Sequence, residues 1–131
     1  MKVRKELTPI FISILIAFIA GMSPQQVFAQ LSGTYTIGGG GDYASINAAV
    51  AALDASGVSG PVTFNISSGT YTEQVTIPAI SGASSTNTIT FTSASGNPAD
   101  VNWEFNGIND AVIWLDGASH LRFRDMTIRN T

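Results

Sequence analysis

The strongest constraint on the fold of this chain is a two-residue alternation of apolar and polar side chains after Pro61. Short runs carry the alternation, and turn residues such as Ser-Gly, Asn-Gly, Asp-Gly or Gly-Asn-Pro separate them. A period of two places the apolar side chains on one face of a strand. The sequence therefore predicts an all-β fold of short strands. The runs start at residues 62, 75, 89, 101, 112, 121 and 126.

Two of these runs contain the tryptophans. Trp103 lies between Asn102 and Glu104, so the alternation places it on the apolar face and predicts a core position. Trp114 lies in the continuous apolar run 111–115, which is typical of a strand covered on both faces. We therefore predict that both faces of this second strand are buried.

One segment breaks the β pattern and predicts an amphipathic helix over residues 42–53. Asp42 or Ser45 can cap its N-terminus, because a short side-chain oxygen accepts hydrogen bonds from free backbone N–H groups there. Gly57 lies just beyond the predicted helix and is a typical terminator. The apolar residues recur at i, i+3, i+4 and i+7 and are Ile46, Ala49, Val50 and Leu53.

Two all-β architectures fit short strands of this kind. One is a sandwich or barrel built from hairpins. The other is a solenoid, in which strands stack in coils of about 20–25 residues. The steps between the runs shorten along the chain, so periodicity alone leaves both architectures open. The single amphipathic helix favours the solenoid, because the first coil needs a cover over its open end.

Residues 1–29 have the order of a secretory signal peptide. Three basic residues lie within the first five residues, an apolar run follows at 10–20, and the segment ends in Val27-Phe28-Ala29. The apolar run is about half of the ~20 residues that span a bilayer. We therefore predict cleavage after Ala29 and a secreted, periplasmic or cell-surface location, with no stable membrane span after cleavage.

Removing this segment changes the charge of the chain. The net charge of −3 becomes −5, because three arginines then stand against eight acidic residues and no lysine remains. The chain has no cysteine, which excludes disulfides, zinc–thiolate sites and thiol catalysis. An acidic chain without a basic cluster is a poor nucleic-acid binder, so we expect no nucleic-acid partner.

Two motifs between residues 41 and 73 resemble those of pectin methylesterases, which belong to the pectin lyase-like superfamily of right-handed parallel β-helices. The first motif opens with Gly41-Asp42-Tyr43, and the second, G-x-Y-x-E, is formed by Gly69, Tyr71 and Glu73. Residues 124–131 are also similar to a strand of that family, R-D-I-T-F-x-N-T. The resemblance implies a single-stranded parallel β-helix behind a capping helix. It also implies that Gly41, Asp42, Tyr43, Gly69, Tyr71 and Glu73 are scaffold residues.

The resemblance assigns expected roles to the second motif and a place to the catalytic groups. Gly69 is expected to serve a turn, Tyr71 to pack, and Glu73 to pair with a charge or cap a coil. The family's catalytic Gln, Asp and Arg positions lie beyond the strand similar to residues 124–131. Glu104 stands where the family has a substrate-contacting Thr. We therefore expect a fragment of a longer protein, divided into a signal peptide (1–29), a linker and capping helix (30–60), and the first, incomplete coils of a β-helix (61–131).

Two functions from different classes fit this reading. The first is a non-catalytic binding or stalk region of a larger surface or secreted protein, with polysaccharide and the remainder of its own chain as partners. The alternative is the N-terminal part of a carbohydrate-active, pectinesterase-like carboxylic ester hydrolase of cell-wall pectin, whose catalytic residues lie beyond Thr131. As given, the chain is expected to have no esterase activity.

Three residues are weak candidates for substrate contact. Trp114 could stack on a sugar ring, although aromatic residues in alternating runs more often belong to the core. Arg122 and Arg124 share one strand face and could bind carboxylates, because the guanidinium fork fits a carboxylate. A solvated strand face is the simpler interpretation of the two arginines.

Other possible sites are less specific. Four acidic residues could bind calcium through oxygen ligands, but without a D-x-D-x-D-G loop solvated turn acids are favoured, and no cofactor is predicted. His120 follows Ser119, yet adjacent residues of an extended chain point apart, which favours a turn histidine over a catalytic one. Residues 39–44 fit G-x-G-x-x-A, but a glycine linker is favoured over a dinucleotide site. The four acidic residues are Glu104, Asp110, Asp116 and Asp125.

Overall fold

A computed structural model describes residues 28–108 and 110–131 of the chain. The predicted signal segment 1–29 therefore lies, apart from Phe28 and Ala29, outside the described residues. Within the described part, no helix is long and apolar enough to cross a membrane. The elements are α1 (Ile46–Ser56), β1 (Leu31–Ile37), β2 (Val58–Ile66), β3 (Gly69–Thr72), β4 (Val75–Pro78), β5 (Ile89–Ser93), β6 (Val101–Phe105), β7 (Ile113–Asp116), β8 (Leu121–Arg124) and β9 (Thr127–Asn130).

The strands form three parallel sheets. Their orders are β1-β2-β5-β8 in the first sheet, β3-β6-β9 in the second and β4-β7 in the third. From β2 onward, successive strands enter the first, second and third sheet in turn, and this order then repeats. Within the described residues, the prediction of an all-β chain with one helix is confirmed. Hairpins join antiparallel strands, so the hairpin-built sandwich or barrel does not describe these parallel sheets.

In-register pairing stacks like side chains above one another in the core of the first sheet. Tyr35, Phe64, Phe91 and Phe123 are direct neighbours on β1, β2, β5 and β8. The ring centroids of Phe64 and Phe91 are 4.9 Å apart, and those of Phe91 and Phe123 are 5.5 Å apart, both pairs stacked. Offset stacking stabilises aromatic pairs beyond their buried area. The aromatic column therefore ties four strands together along one side of the core.

The second and third sheets complete the core with the residues that the alternation places inward. Trp103 on β6 is fully buried, which confirms its predicted core position. Val75 and Ile77 on β4 are also fully buried. The alternation did not predict β3, because its sequence Gly-Thr-Tyr-Thr contains no alternating apolar residues. In the structure, three of the four residues of Gly69–Thr72 are exposed.

The helix begins later than predicted. Ser45, one of the two predicted caps, is the N-cap, and its Oγ accepts from the Ala48 N–H at 3.1 Å. Asp42 is instead held by the backbone N–H of Thr36 at 2.8 Å, so the prediction of a helix from residue 42 is wrong. The helix ends at Gly57, whose φ of 68° suits glycine. Its buried face is the predicted one, Ile46, Ala49, Val50 and Leu53, and it packs against β1 and β4.

Strand β2 starts earlier than predicted, and the segment predicted as linker and capping helix (30–60) contains an additional strand. The strand begins at Val58 rather than at residue 62, because Val58 pairs with Leu31 of β1. Segment 30–60 therefore contains β1, which joins the first sheet, in addition to the helix.

The prediction that β7 is buried on both faces is wrong. Trp114 is 50% exposed and Leu115 is 57% exposed. In register with β4, Trp114 lies beside Thr76 on the outer face, while Leu115 lies beside the buried Ile77. Leu115 is exposed although it is on the core side, because β7 is the last strand of its sheet.

Candidate functional site

The carboxylate of Glu73 closes the N-terminus of α1. Its Oε2 accepts from the Ile46 N–H at 3.0 Å, and its Oε1 accepts from the N–H and the Nδ2 of Asn47, both at 3.0 Å. The backbone oxygen of Glu73 accepts from Trp103 Nε1 at 2.9 Å. Anionic acceptors are favoured at helix N-termini, where backbone N–H groups lack intrahelical partners. Glu73 therefore joins the helix to the second sheet.

Asp42 holds the glycine-rich turn after β1. Its Oδ2 accepts from the N–H of Thr36 at 2.8 Å and from its Oγ1 at 3.0 Å, and the Asp42 N–H donates to Thr36 Oγ1 at 2.9 Å. These bonds favour the ionised carboxylate and lower the pKa of Asp42 below its ordinary value. A Cβ on Gly41 would collide with the Thr36 side chain, which explains why this motif position suits glycine.

The two motif tyrosines pack beside the turn. The ring of Tyr43 lies 5.8 Å from that of Phe64 and 5.9 Å from that of Tyr35. The hydroxyl of Tyr71 donates to the Ser67 carbonyl at 2.7 Å. Partial burial raises the pKa of both Tyr43 and Tyr71.

The six motif residues thus lie together around β1, the N-terminus of α1 and the corner between β2 and β3. Gly69 opens β3 directly after that corner, and its N–H donates to the Asp100 carbonyl at 2.8 Å. The polar groups of the motifs make bonds within the fold. Their role is therefore structural, because these bonds hold the helix against the strands.

The three candidate contact residues lie on two different sheets. Trp114 is on the outer face of β7 in the third sheet. Arg122 and Arg124 are exposed on the outer face of β8 in the first sheet, in register with Thr90 and Thr92 of β5. The structure therefore confirms the shared strand face of the arginines but does not place Trp114 on it.

The three arginines in the described part of the chain differ in their partners. Arg129 on β9 pairs with Glu104 of β6, its register neighbour, at 2.8 Å between Nη2 and Oε2. Among residues 28–108 and 110–131, neither Arg122 nor Arg124 forms an ion pair. The guanidinium groups of β8 are thus available to a carboxylate from outside.

The four carboxylates of the calcium hypothesis are not gathered into a site. Glu104 pairs with Arg129, and Asp125 Oδ2 accepts from Thr92 Oγ1 at 3.3 Å. In the part of the chain that the structure describes, no group of three or more acidic or histidine side chains is placed to hold a metal ion. Asp110 and Asp116 are both exposed.

His120 lies at the exposed corner before β8. Its φ of 58° is in the left-handed region, and its backbone oxygen accepts from the Ile89 N–H at 3.0 Å. The residue therefore lies in a turn that leads into the first sheet. This agrees with the prediction of a turn histidine between two strands.

Sequence reasoning missed a set of core-side residues that are exposed or only partly buried. They lie on β7, β8 and β9, the last strands of the three sheets, and we call this region the open end. Alternation identifies which face of a strand is apolar, but not whether another strand follows it in the sheet. No local signal could therefore have revealed the exposure. The residues of the open end are Ile113, Leu115, Leu121, Phe123 and Ile128.

The chain was compared with known proteins: no family model, no curated protein and no solved structure matches it.

Proposed function

We propose that the chain is a non-catalytic binding or stalk region of an exported right-handed parallel β-helix protein. The observation that carries this proposal is the repeated order in which the strands enter three parallel sheets. A chain that visits three sheets in turn and returns in register winds as a coil. Crossovers between parallel strands of one sheet are right-handed in about 98% of cases, which supports the right-handed sense.

The register gives the length of each proposed coil. Val62 pairs with Ile89, and Ile89 pairs with Leu121, so the steps are 27 and 32 residues. Both exceed the ~20–25 residues expected of a plain coil. The extra residues lie in the three corners between β4 and β5, between β5 and β6, and between β6 and β7, which a solenoid accommodates without disturbing its sheets.

The use of the carboxylates supports a structural rather than a catalytic role. Glu73 caps α1, Asp42 holds Thr36, and Glu104 pairs with Arg129. Asp100 accepts from Ser95 Oγ at 2.6 Å. A general acid or base must reach a substrate proton, whereas these groups already accept hydrogen bonds from the fold.

The open end supports a place within a larger β-structure. Leu115 is 57% exposed and Ile128 is 39% exposed although both occupy core-side positions. A further coil would cover these side chains and pair the free strand edges. The signal-like segment 1–29 supports the proposal of export.

The alternative is the N-terminal part of a pectinesterase-like hydrolase. The specific observation in its favour is that the two family-like motifs meet in space, since Glu73 of the second motif caps the helix that follows the first. In that case one carboxylate elsewhere would act as nucleophile and another as acid and base. The chain described here would then supply the scaffold and the first coils.

Purified full chain, secreted by a bacterial host, tests both functions. We expect Gln30 as its N-terminal residue after processing. Affinity electrophoresis in methyl-esterified and de-esterified pectin measures binding, and methanol release measures ester hydrolysis. We expect retardation without methanol release.

Retardation should weaken in Trp114→Ala but not in the control Ile108→Ala, which removes another exposed apolar side chain. Methanol release above the buffer rate would overturn the non-catalytic proposal, and retardation in no polysaccharide would favour a stalk.

A further inference from the structure

The corner between β6 and β7 contains an asparagine that is followed by a glycine. Asn106 comes directly after β6, is exposed, and is the only asparagine of the chain that precedes a glycine. The side-chain amide of asparagine, a thermolabile residue, can be attacked by the backbone nitrogen of the next residue. Glycine leaves that nitrogen unobstructed because it has no Cβ. The sequence therefore makes the amide of Asn106 chemically labile.

The peptide group that joins Asn106 to Gly107 is free to take part in this attack. Among residues 28–108 and 110–131, no hydrogen bond involves the Asn106 carbonyl or the Gly107 N–H. The glycine itself is required by packing, since a Cβ on Gly107 would lie 2.7 Å from Asp110 Oδ2 and 2.8 Å from Phe105 Cε1. The packing of the corner thus demands the residue that makes Asn106 reactive.

The peptide groups on either side of this free group are held by the end of β9. The N–H of Thr131 donates to the Phe105 carbonyl at 3.0 Å. Asn130 Nδ2 donates to the Gly107 carbonyl at 3.1 Å and to the Asp110 carbonyl at 2.6 Å. The attack turns the backbone between these anchored groups, so the corner must first open locally. Asn130 therefore restrains the corner without covering Asn106.

We propose that Asn106 is a site of spontaneous deamidation and that Asn130 sets its rate. The Gly107 nitrogen loses its proton to the solvent and bonds to Asn106 Cγ, while the side-chain nitrogen leaves as ammonia. Water then opens the cyclic imide at one of its two carbonyl carbons and yields aspartate or isoaspartate. Either product adds a carboxylate to the corner that holds Asp110, and isoaspartate also lengthens the main chain. This modification goes beyond the proposed function, because it requires neither a polysaccharide nor a partner.

Mass spectrometry of the purified full chain, incubated at mildly alkaline pH, tests the proposal. Chymotryptic cleavage after Phe105 releases a peptide that begins at Asn106, whose mass reports the replacement of –NH2 by –OH. Fragmentation locates the change, and enzymatic isoaspartate methylation identifies the product. We expect Asn106 to convert faster than any other asparagine, but more slowly than in a free Phe-Asn-Gly-Ile peptide. Conversion should be lost in Asn106→Gln. An unchanged Asn106 after the free peptide has converted, or a faster conversion elsewhere in the chain, would overturn the proposal.

Two variants of β9 test the restraint by Asn130. Asn130→Ala removes both side-chain bonds to the corner and should raise the deamidation rate about fivefold, the factor that corresponds to the loss of one typical hydrogen bond. Thr127→Ala is the matched control, because it removes a bond from the same strand to the Pro98 carbonyl at 3.0 Å, and it should leave the rate unchanged. Circular dichroism verifies folding, and Asn130→Ser replaces Asn130→Ala if the latter unfolds. A folded Asn130 variant with the parent's rate, or equal acceleration by Thr127→Ala, would refute the restraint.

Discussion

The two ends of the sheet stack are built from similar residues but are covered very differently. At the first end, α1 packs against β1 and β4, and its apolar face is buried together with Ile37. At the open end, Leu115 and Ile128 occupy equivalent core-side positions and remain exposed. Apolar side chains occupy core-side positions at both ends. The comparison teaches that a strand's place in the stack, and not its own pattern, decides how much its apolar face contributes to stability.

The largest expected difference between the two ends is in the aromatic column. Phe64→Ala should lower the free energy of unfolding by about 3–5 kcal/mol, because Phe64 is fully buried. Phe123→Ala should cost about 1–2 kcal/mol, because its ring is already partly exposed. Urea unfolding followed by circular dichroism measures both values, and Ile89→Val gives a milder core control of about 0.5–1.5 kcal/mol. Equal losses at Phe64 and Phe123 would show that the ends are equally packed.

The cap at the covered end gives the next effect. Glu73→Ala should lower the free energy of unfolding by about 1–3 kcal/mol, since two helix N–H groups lose a charged acceptor. Glu73→Gln keeps an acceptor oxygen and should recover part of the loss. The comparison of the two variants by urea unfolding separates hydrogen bonding from charge. A Glu73→Ala variant as stable as the parent would contradict the capping role.

The ion pair near the open end should contribute less. Arg129→Gln should cost about 0.2–1 kcal/mol, because the arginine side chain is 55% exposed and water screens the pair. High salt should remove most of this difference. Unfolding at low and high salt checks the prediction, with Arg124→Gln as the control that breaks no ion pair. A loss as large as that of Glu73→Ala would mean that the open end is better ordered than its exposure indicates.

The smallest expected effect concerns pH at the covered end. Hydrogen bonds from Thr36 lower the pKa of Asp42 below its ordinary value of 3.8. Stabilisation by this group is therefore present above pH 3.8 and is lost as the pH falls through the lower pKa of the folded state. The midpoint of thermal unfolding of Asp42→Asn should consequently fall less than that of the parent between pH 4 and pH 2. An unchanged pH profile would contradict a folded-state role for this carboxylate.

The sequence predicted those features that depend on local pattern. The all-β class, the buried face of α1 and the core position of Trp103 follow from periodicity, and the structure has all three. The burial of β7 was mispredicted, because an apolar run does not show that a strand is last in its sheet. The start of α1 was mispredicted because Thr36 captures Asp42, a contact with a strand that the helical pattern does not contain.

In the candidate site, too, local pattern predicted some features, and others depend on tertiary contacts. Glu73 could be singled out as a capping or pairing residue, but its partners on the helix, Ile46 and Asn47, depend on how the strand corner meets α1. The outward alternation of Arg122 and Arg124 was readable from the sequence. Their lack of an acidic neighbour on β5 required the register, since Thr90 and Thr92 are 32 residues earlier in the chain.

The opposite environments of the two tryptophans have an optical consequence. Trp103 is fully buried beside Phe123, whereas Trp114 is 50% exposed on β7. We therefore expect two fluorescence components, one emitting at short wavelength and shielded from iodide, the other red-shifted and readily quenched. Since these are the only tryptophans of the chain, single Trp→Phe variants turn each into a separate reporter. The interior and the outer surface of the stack can thus be followed independently during unfolding, without any attached dye.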